Sequence, residues 1–238
     1  MPYQLAIDRG NSRTKVSIRK DHGEILLFST LNEGNLENEL KRIFREYPIE
    51  RCIVSNVRES DLDLPIEHIV FSHLLKFPFI IAYETPETVG HDRLANMAAA
   101  SVLYPNENVL VIDCGSCITY SLLVDNSFVG GSISPGIHMR YKALHHFTGK
   151  LPQIEMLDKL PNLLGKTTHD SICSGVEFAI IAETAGMIEA YQKVFGPLKI
   201  ILTGGDNSFF EKYLKSPTFA VAHLTQIGLH EILRINNV

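Results

Sequence analysis

The period of apolar and polar positions changes along the chain and reads as strands alternating with helices. YQLAIDR and TKVSI carry short Val, Ile and Leu runs on either side of a glycine-containing stretch, the pattern of two buried strands joined by a turn. GEILLFST predicts a third strand. In NLENELKRIFREY the apolar positions Leu36, Leu40, Ile43 and Phe44 share one helical face, and RCIVSNV returns to a strand. HDRLANMAAASVLY predicts an Ala-rich helix, and Pro105 with Asn106 marks a boundary after it. The second half follows similar grammar, with NVLVIDC and ITYSLLV as a strand pair, SFVGGSI as a third strand, IHMRYKALHHF as a helix, LKIILTG as a strand and DSICSGVEFAIIAETAGMIEAYQKVFG as a long helix. Three strands, a helix, a strand and a helix, written twice, predict an α/β protein of two related lobes, residues 1–106 and 107–238, facing each other across a cleft.

The duplication is visible in single residues. Asp8, Gly10 and Thr14 superimpose on Asp113, Gly115 and Thr119, each set following an apolar strand and preceding another. Any two hairpins could share such a pattern, but the aspartate falls at the strand end in both copies.

Composition changes this picture little. The 238 residues are 45% hydrophobic and 21% charged, which suits packed cores and excludes a disordered chain. No run approaches the roughly 18 uninterrupted apolar residues of a membrane span, and MPYQLAIDRGNSRTK places charges where a signal peptide carries its apolar stretch. A cytoplasmic protein without a membrane partner is expected. The net charge of −5 provides no broad footprint for a phosphate backbone, so nucleic acid is not an expected partner. Cys52, Cys114, Cys117 and Cys173 are too few and scattered for a disulfide framework, and reduced thiols are expected.

Candidate chemistry sits in the two glycine turns. Asp8-Arg9-Gly10-Asn11-Ser12-Arg13-Thr14-Lys15 joins a strand-end carboxylate to a loop whose backbone N–H groups, hydroxyls and cations suit phosphate oxygens. Asp8 suits a hydrated Mg²⁺, which keeps several waters and takes one or two carboxylates plus substrate phosphates. A solvated turn with surface cations would look the same locally. The Walker pattern G-x-x-x-x-G-K-[ST] is absent. Cys114-Gly115-Ser116-Cys117 has the spacing of a redox dithiol or half a zinc site, yet it runs into a strand rather than a helix and has no second C-x-x-C. Small residues in a tight loop explain it better.

DRGNSRTK, GHDR, DCGSCIT, GGSISPG and LTGGD, in that order over nearly the whole chain, resemble the type III pantothenate kinases of the acetate and sugar kinase, Hsp70 and actin superfamily. The resemblance implies two duplicated ribonuclease H-like lobes (βββαβα), with ATP in a central nucleotide cleft passing its γ-phosphate to the 4′-hydroxyl of pantothenate in coenzyme A biosynthesis. It also implies a homodimer whose pantothenate pocket includes partner residues. By similarity, Asp8, Arg9, Gly10, Asn11, Ser12, Arg13, Thr14 and Lys15 form the first phosphate loop, with Asp8 on Mg²⁺ through water. Ser116, Gly204 and Gly205 belong to the ATP side, where Gly204 and Gly205 serve equally well as a tight turn.

Gly90, His91, Asp92 and Arg93 match the pantothenate-contacting segment, with Asp92 as the catalytic base. Asp92 also falls in or just before a first helical turn, where peptide dipoles favour a negative side chain and where an aspartate commonly caps the helix. Arg93 matches a contact to pantothenate's carboxylate or to the transferring phosphoryl, and a structural ion pair would use the same residue. Tyr83 occupies the place of the substrate-contacting tyrosine, and also suits simple packing. Thr168 resembles the substrate-contacting threonine, although Thr167 or Thr168 could equally cap the long helix. Asp113 resembles the ligand of a monovalent cation, potassium or ammonium. Here the chain departs from the family, with Ser116 in place of the usual Thr and Ser121 where an Asp often follows. Two other classes remain open on residues alone, namely a non-catalytic regulator akin to transcription accessory factors and an actin-like or Hsp70-like ATPase.

Overall fold

The structure, a computed structural model, describes residues 3–10, 13–21, 23–58, 60–156, 159–215 and 218–236. In chain order the elements are β1 (Tyr3–Arg9), β2 (Thr14–Lys20), β3 (Ile25–Leu31), α1 (Glu33–Glu46), β4 (Ile49–Asn56), β5 (Ile69–Val70), β6 (Ile80–Ile81) and α2 (His91–Leu103). There follow β7 (Val109–Cys114), β8 (Cys117–Val124), β9 (Ser127–Pro135), α3 (Ile137–His146), α4 (Thr168–Phe195), β10 (Lys199–Thr203), α5 (Asn207–Tyr213), β11 (Phe219–Ala220) and α6 (Leu224–Asn236). The first half keeps the expected three strands, helix, strand, helix; in the second the long helix expected to close that order, α4, precedes β10, and α5 follows it instead. The first half inserts β5 and β6 before its closing helix.

Two compact units divide the chain. Unit 1 is Met1–Pro105, Asn126–Phe128 and His223–Val238, and unit 2 is Asn106–Asp125 and Val129–Ala222. The division is discontinuous, whereas the sequence suggests one cut at residue 106. The reason is α6, which packs on α2 and on β1, β2 and β4. Its backbone comes so close to α2 that any Cβ at Gly228 would overlap the Ala95 carbonyl, so only glycine permits this approach.

The unit 1 sheet has the order β3-β2-β1-β4-β5, with β1 antiparallel to β2 and parallel to β4. Its alternation is sharp. Leu5, Ile7, Val16, Ile18, Cys52 and Val54 lie in one core with Leu36, Leu40 and Ile43 of α1, as a strand period of two set against a helical stripe requires. Phe44, expected on that stripe, is partly buried against it. The opposite face carries Ala6, Ser17 and Ile53 under α6, and Ser17 Oγ donates to Gln226 Oε1 at 2.5 Å.

The unit 2 sheet runs β11-β10-β7-β8-β9, with β7 antiparallel to β8 and parallel to β10. Ser127 and Phe128 at the start of β9 are counted with unit 1, where they pair with β6. Leu110, Ile112, Ile118, Tyr120, Ile200 and Leu202 pack with Ile172, Val176, Ile180 and Ile188 of α4. By length and composition alone α4 could cross a membrane; here it is a core helix of this unit, with Ile172, Val176, Ile180 and Ile188 buried.

Candidate active site

The β1–β2 link is a tight turn in which the Gly10 N–H donates to the Arg13 carbonyl at 3.1 Å. Asn11 and Ser12 lie outside the described residues. Register decides which loop residues share a face: Asp8 opposes Lys15, and Arg9 opposes Thr14. Asp8 and Lys15 are half-buried on the α6 side. Arg9 and Thr14 point into the α1 side, where Arg9 is 5% exposed and its guanidinium donates to Glu33 and to Ser60. Thr14 is fully buried, and its hydroxyl has no hydrogen-bond partner among the described residues. Arg58 braces the turn by donating to the Gly10 carbonyl at 2.9 Å and pairing with Glu33 at 2.6 Å. The hydrogen bond from Arg9, followed by the charges of Arg9 and Arg58, holds the Glu33 carboxyl below its ordinary range. Arg13 is exposed.

A buried serine connects Asp8 to the start of α2. Ser55 of β4 lies opposite Asp8 across the parallel pair, and its hydroxyl donates to Asp8 Oδ1 at 3.2 Å. The same oxygen is 3.4 Å from Nδ1 of His91, the first residue of α2. Gly90 is the N-cap of that helix and supplies no side-chain cap. The Arg93 N–H is shared between the Gly90 carbonyl at 3.0 Å and Asp92 Oδ1 at 2.8 Å. Asp92 is otherwise exposed. Burial pushes the His91 imidazole below its ordinary pKa, opposed by the Asp92 charge and assisted by His73.

Arg93 is buried, with its guanidinium carbon 5.3 Å from the Phe128 ring centre and 5.7 Å from that of Tyr83. The two rings stack at 5.6 Å with 6° between their planes. Tyr83 and Arg93, both expected at the substrate, are thus neighbours within unit 1, and a cation over aromatic faces is held in place electrostatically.

In unit 2 the corresponding hairpin closes with only Gly115 and Ser116 between its strands, and Asp113 stands directly opposite Thr119. Two other segments meet this turn. The Gly136 N–H donates to the Ser116 carbonyl at 3.1 Å, and the Asp206 N–H to the Cys114 carbonyl at 2.9 Å. Gly204 has φ +96°, and a Cβ there would overlap the Cys114 carbonyl and lie 2.5 Å from Asp113 Oδ1. Ser116 and Gly205 are exposed, Gly205 with open space around it. Burial raises the Asp206 carboxyl, against the pull of His138 at 3.8 Å. Burial also raises the Cys114 thiol, reinforced by Asp113 and Asp206, so it stays protonated and makes a poor soft-metal ligand.

Thr167, not Thr168, caps α4: its hydroxyl accepts from the Asp170 N–H at 3.1 Å. Thr168 is left exposed on the rim of a cavity of about 1050 Å³, lined also by Arg140, Phe147 and Lys166. Sequence reasoning did not single out Ser55 or Phe128. Neither has a motif; both are placed by strand pairing between distant segments.

The family model of the type III pantothenate kinases matches residues 4–190. The type III pantothenate kinase of Cytophaga hutchinsonii is 40% identical over 237 residues, covering 98% of this chain and 99% of its own. That of Christiangramia forsetii is 38% identical over 240 residues, covering 98% of each. Among solved structures, a Campylobacter jejuni protein described as a candidate Baf family transcriptional activator aligns with a TM-score of 0.61 at 23% identity, over 98% of both chains. Component A of the (R)-2-hydroxyglutaryl-CoA dehydratase of Acidaminococcus fermentans aligns at 0.58 and 12%, over 99% of this chain and 98% of its own. At such identities these structures speak for the fold alone, the two-lobe ribonuclease H-like α/β architecture. The family match and the near full-length sequence relatives say more: the chain belongs to the type III pantothenate kinases.

Proposed function

We propose that the chain transfers the γ-phosphoryl group of ATP to the 4′-hydroxyl of pantothenate, with Asp92 oriented at that hydroxyl. One observation carries the assignment of Asp92: it is an exposed carboxylate in the first turn of α2, directly after His91, whose ring is joined through Ser55 to Asp8. The acceptor segment and the phosphate loop of unit 1 are therefore one connected structure. The relatives' names favour neither a non-catalytic regulator nor an Hsp70-like ATPase.

In a loose transition state the acceptor oxygen forms its bond to phosphorus as the bond to the ADP oxygen breaks, and the acceptor proton leaves late. Asp92 positions the hydroxyl through that stage and takes the proton afterwards. Its bond from the Arg93 N–H fixes the carboxylate's direction, so little orientational freedom remains to be lost. The Tyr83–Phe128–Arg93 stack presents a fixed cation for an anionic group of the substrate.

The implied ions fit the donors present. Asp8 and Asp113 are half-buried carboxylates offering hard oxygens, and the neighbouring Cys114 thiol is protonated. Among the described residues no group of three His, Cys, Asp or Glu could hold a metal, so a divalent ion at Asp8 would draw its other ligands from water and phosphate, the habit of Mg²⁺. When bound it offsets phosphate charge. Asp113 would hold the monovalent cation, potassium or ammonium. A homodimer and a cytoplasmic location complete the proposal; exposed Phe147 beside the Thr168 cavity suits a site finished by a second copy.

The test is ADP release with and without pantothenate, in potassium and in sodium buffer. Release depends on pantothenate in the wild type, and Asp92→Asn lowers kcat by about 10²–10⁴-fold while moving the KM for ATP by no more than about threefold. Equal rates with and without pantothenate overturn the kinase assignment, and full activity of Asp92→Asn removes the base.

A further inference from the structure

Ser55 is 1% exposed and its hydroxyl has two neighbours but one proton. An ionised carboxylate only accepts, so that proton goes to Asp8 Oδ1. Towards His91 Nδ1 the serine oxygen then has only lone pairs to offer, and the contact is a hydrogen bond when Nδ1 carries the proton of the ring. Burial keeps the imidazole neutral near pH 7, with a single N–H. If that N–H is on Nδ1, Nε2 is an acceptor. The half-buried ring rests 4.8 Å from Phe71, directly before Asp92 in the chain.

We propose that Ser55 is a positioning residue for the transfer: it ties the Asp8 carboxylate to the His91 ring and holds Nε2 of that ring unprotonated as an acceptor for an O–H or N–H group of the acceptor substrate. The proposal rests on the kinase reading above. It makes the tautomer of His91 depend on a serine that touches no substrate. Asp8 has further interactions of its own, so losing Ser55 weakens the acceptor side more than the nucleotide side.

Nitrogen NMR of the full chain labelled at histidine reads the tautomer directly, without turnover and without any variant. In the wild type His91 carries its proton on Nδ1, and in Ser55→Ala the signals move towards the Nε2–H form. In kinetics, Ser55→Ala raises the KM for pantothenate about tenfold, the worth of one hydrogen bond, and the KM for ATP by less than about threefold. In a His91→Ala background the same serine change alters the pantothenate KM by no more than about twofold, because the effect runs through the ring. A wild-type Nε2–H tautomer, unchanged ring signals in Ser55→Ala, or equal increases in both KM values would overturn the proposal while leaving the kinase intact. Pantothenate-independent ADP release would instead bring down the kinase reading, and the acceptor role of His91 with it.

Discussion

The two hairpins share the pattern Asp-x-Gly-x-x-x-Thr but fold it with different registers. In unit 1 four residues link the strands, Asp8 faces Lys15, and Thr14 is turned into the core beside Arg9. In unit 2 two residues link them, and Asp113 faces Thr119, the equivalent of Thr14. A slip of one pairing position moves a side chain to the other face of a sheet. The first link is therefore the longer one and is braced by side chains, namely Arg9 and Arg58 on Glu33. The second is short and braced by backbone from the Gly136 and Gly204–Asp206 segments. Duplicated sequence has produced one turn whose chemistry lies in side chains and another whose shape depends on the absence of them.

The largest expected contrast is catalytic. Asp8→Asn lowers kcat/KM by about 10³-fold in potassium and sodium alike, whereas Asp113→Asn costs about tenfold and abolishes the difference between the two salts. Steady-state kinetics of the pair decide it, and an Asp113 effect larger than that of Asp8 breaks the contrast. Next comes backbone shape. Gly204→Ala, at positive φ and against the Cys114 carbonyl, costs about 2–4 kcal/mol in urea unfolding, while Gly205→Ala stays within about 0.5 kcal/mol.

A third contrast is acid sensitivity. His230, on the face of α6 buried against the unit 1 sheet, has its pKa pushed down to about 3 by burial and by Arg19, against the pull of Glu231. The unfolded chain binds that proton near pH 6.5, so this histidine's contribution is intact above pH 6.5 and is lost as pH falls towards 3. The slope is on the order of 1 kcal/mol per pH unit, and His230→Asn flattens it in unfolding curves between pH 6 and pH 4. The smallest effect is at Thr14. Its buried hydroxyl lacks a partner among the described residues, so Thr14→Val leaves stability unchanged or raises it by up to about 1 kcal/mol. A clear loss would show that the hydroxyl is bonded.

Local patterns made most elements legible. The stripe Leu36, Leu40 and Ile43 and the apolar strands appear where their periods predicted them. The blocks of unit 2, from Asp113 to the glycines near 204, meet around one turn because each ends a strand or opens a helix on the same edge. α6 was not legible. Its face towards the sheet carries Gln226 and His230, which meet Ser17, so no clean apolar stripe announces a buried helix. The opposite facing of Thr14 and Thr119 was hidden for another reason, since it depends on link length and pairing register rather than residue type. Ser55 shows the same limit. Only the parallel alignment of β1 with β4 places it at Asp8.

The return of α6 to unit 1 bears on how the protein is made. Everything in residues 106–222 is synthesised before the helix that covers Ala6, Ser17 and Ile53. The half of the chain that is synthesised first is thus the last to close. Until residue 224 and beyond emerge, the face of its sheet that carries Ala6, Ser17 and Ile53 stays open to chaperones.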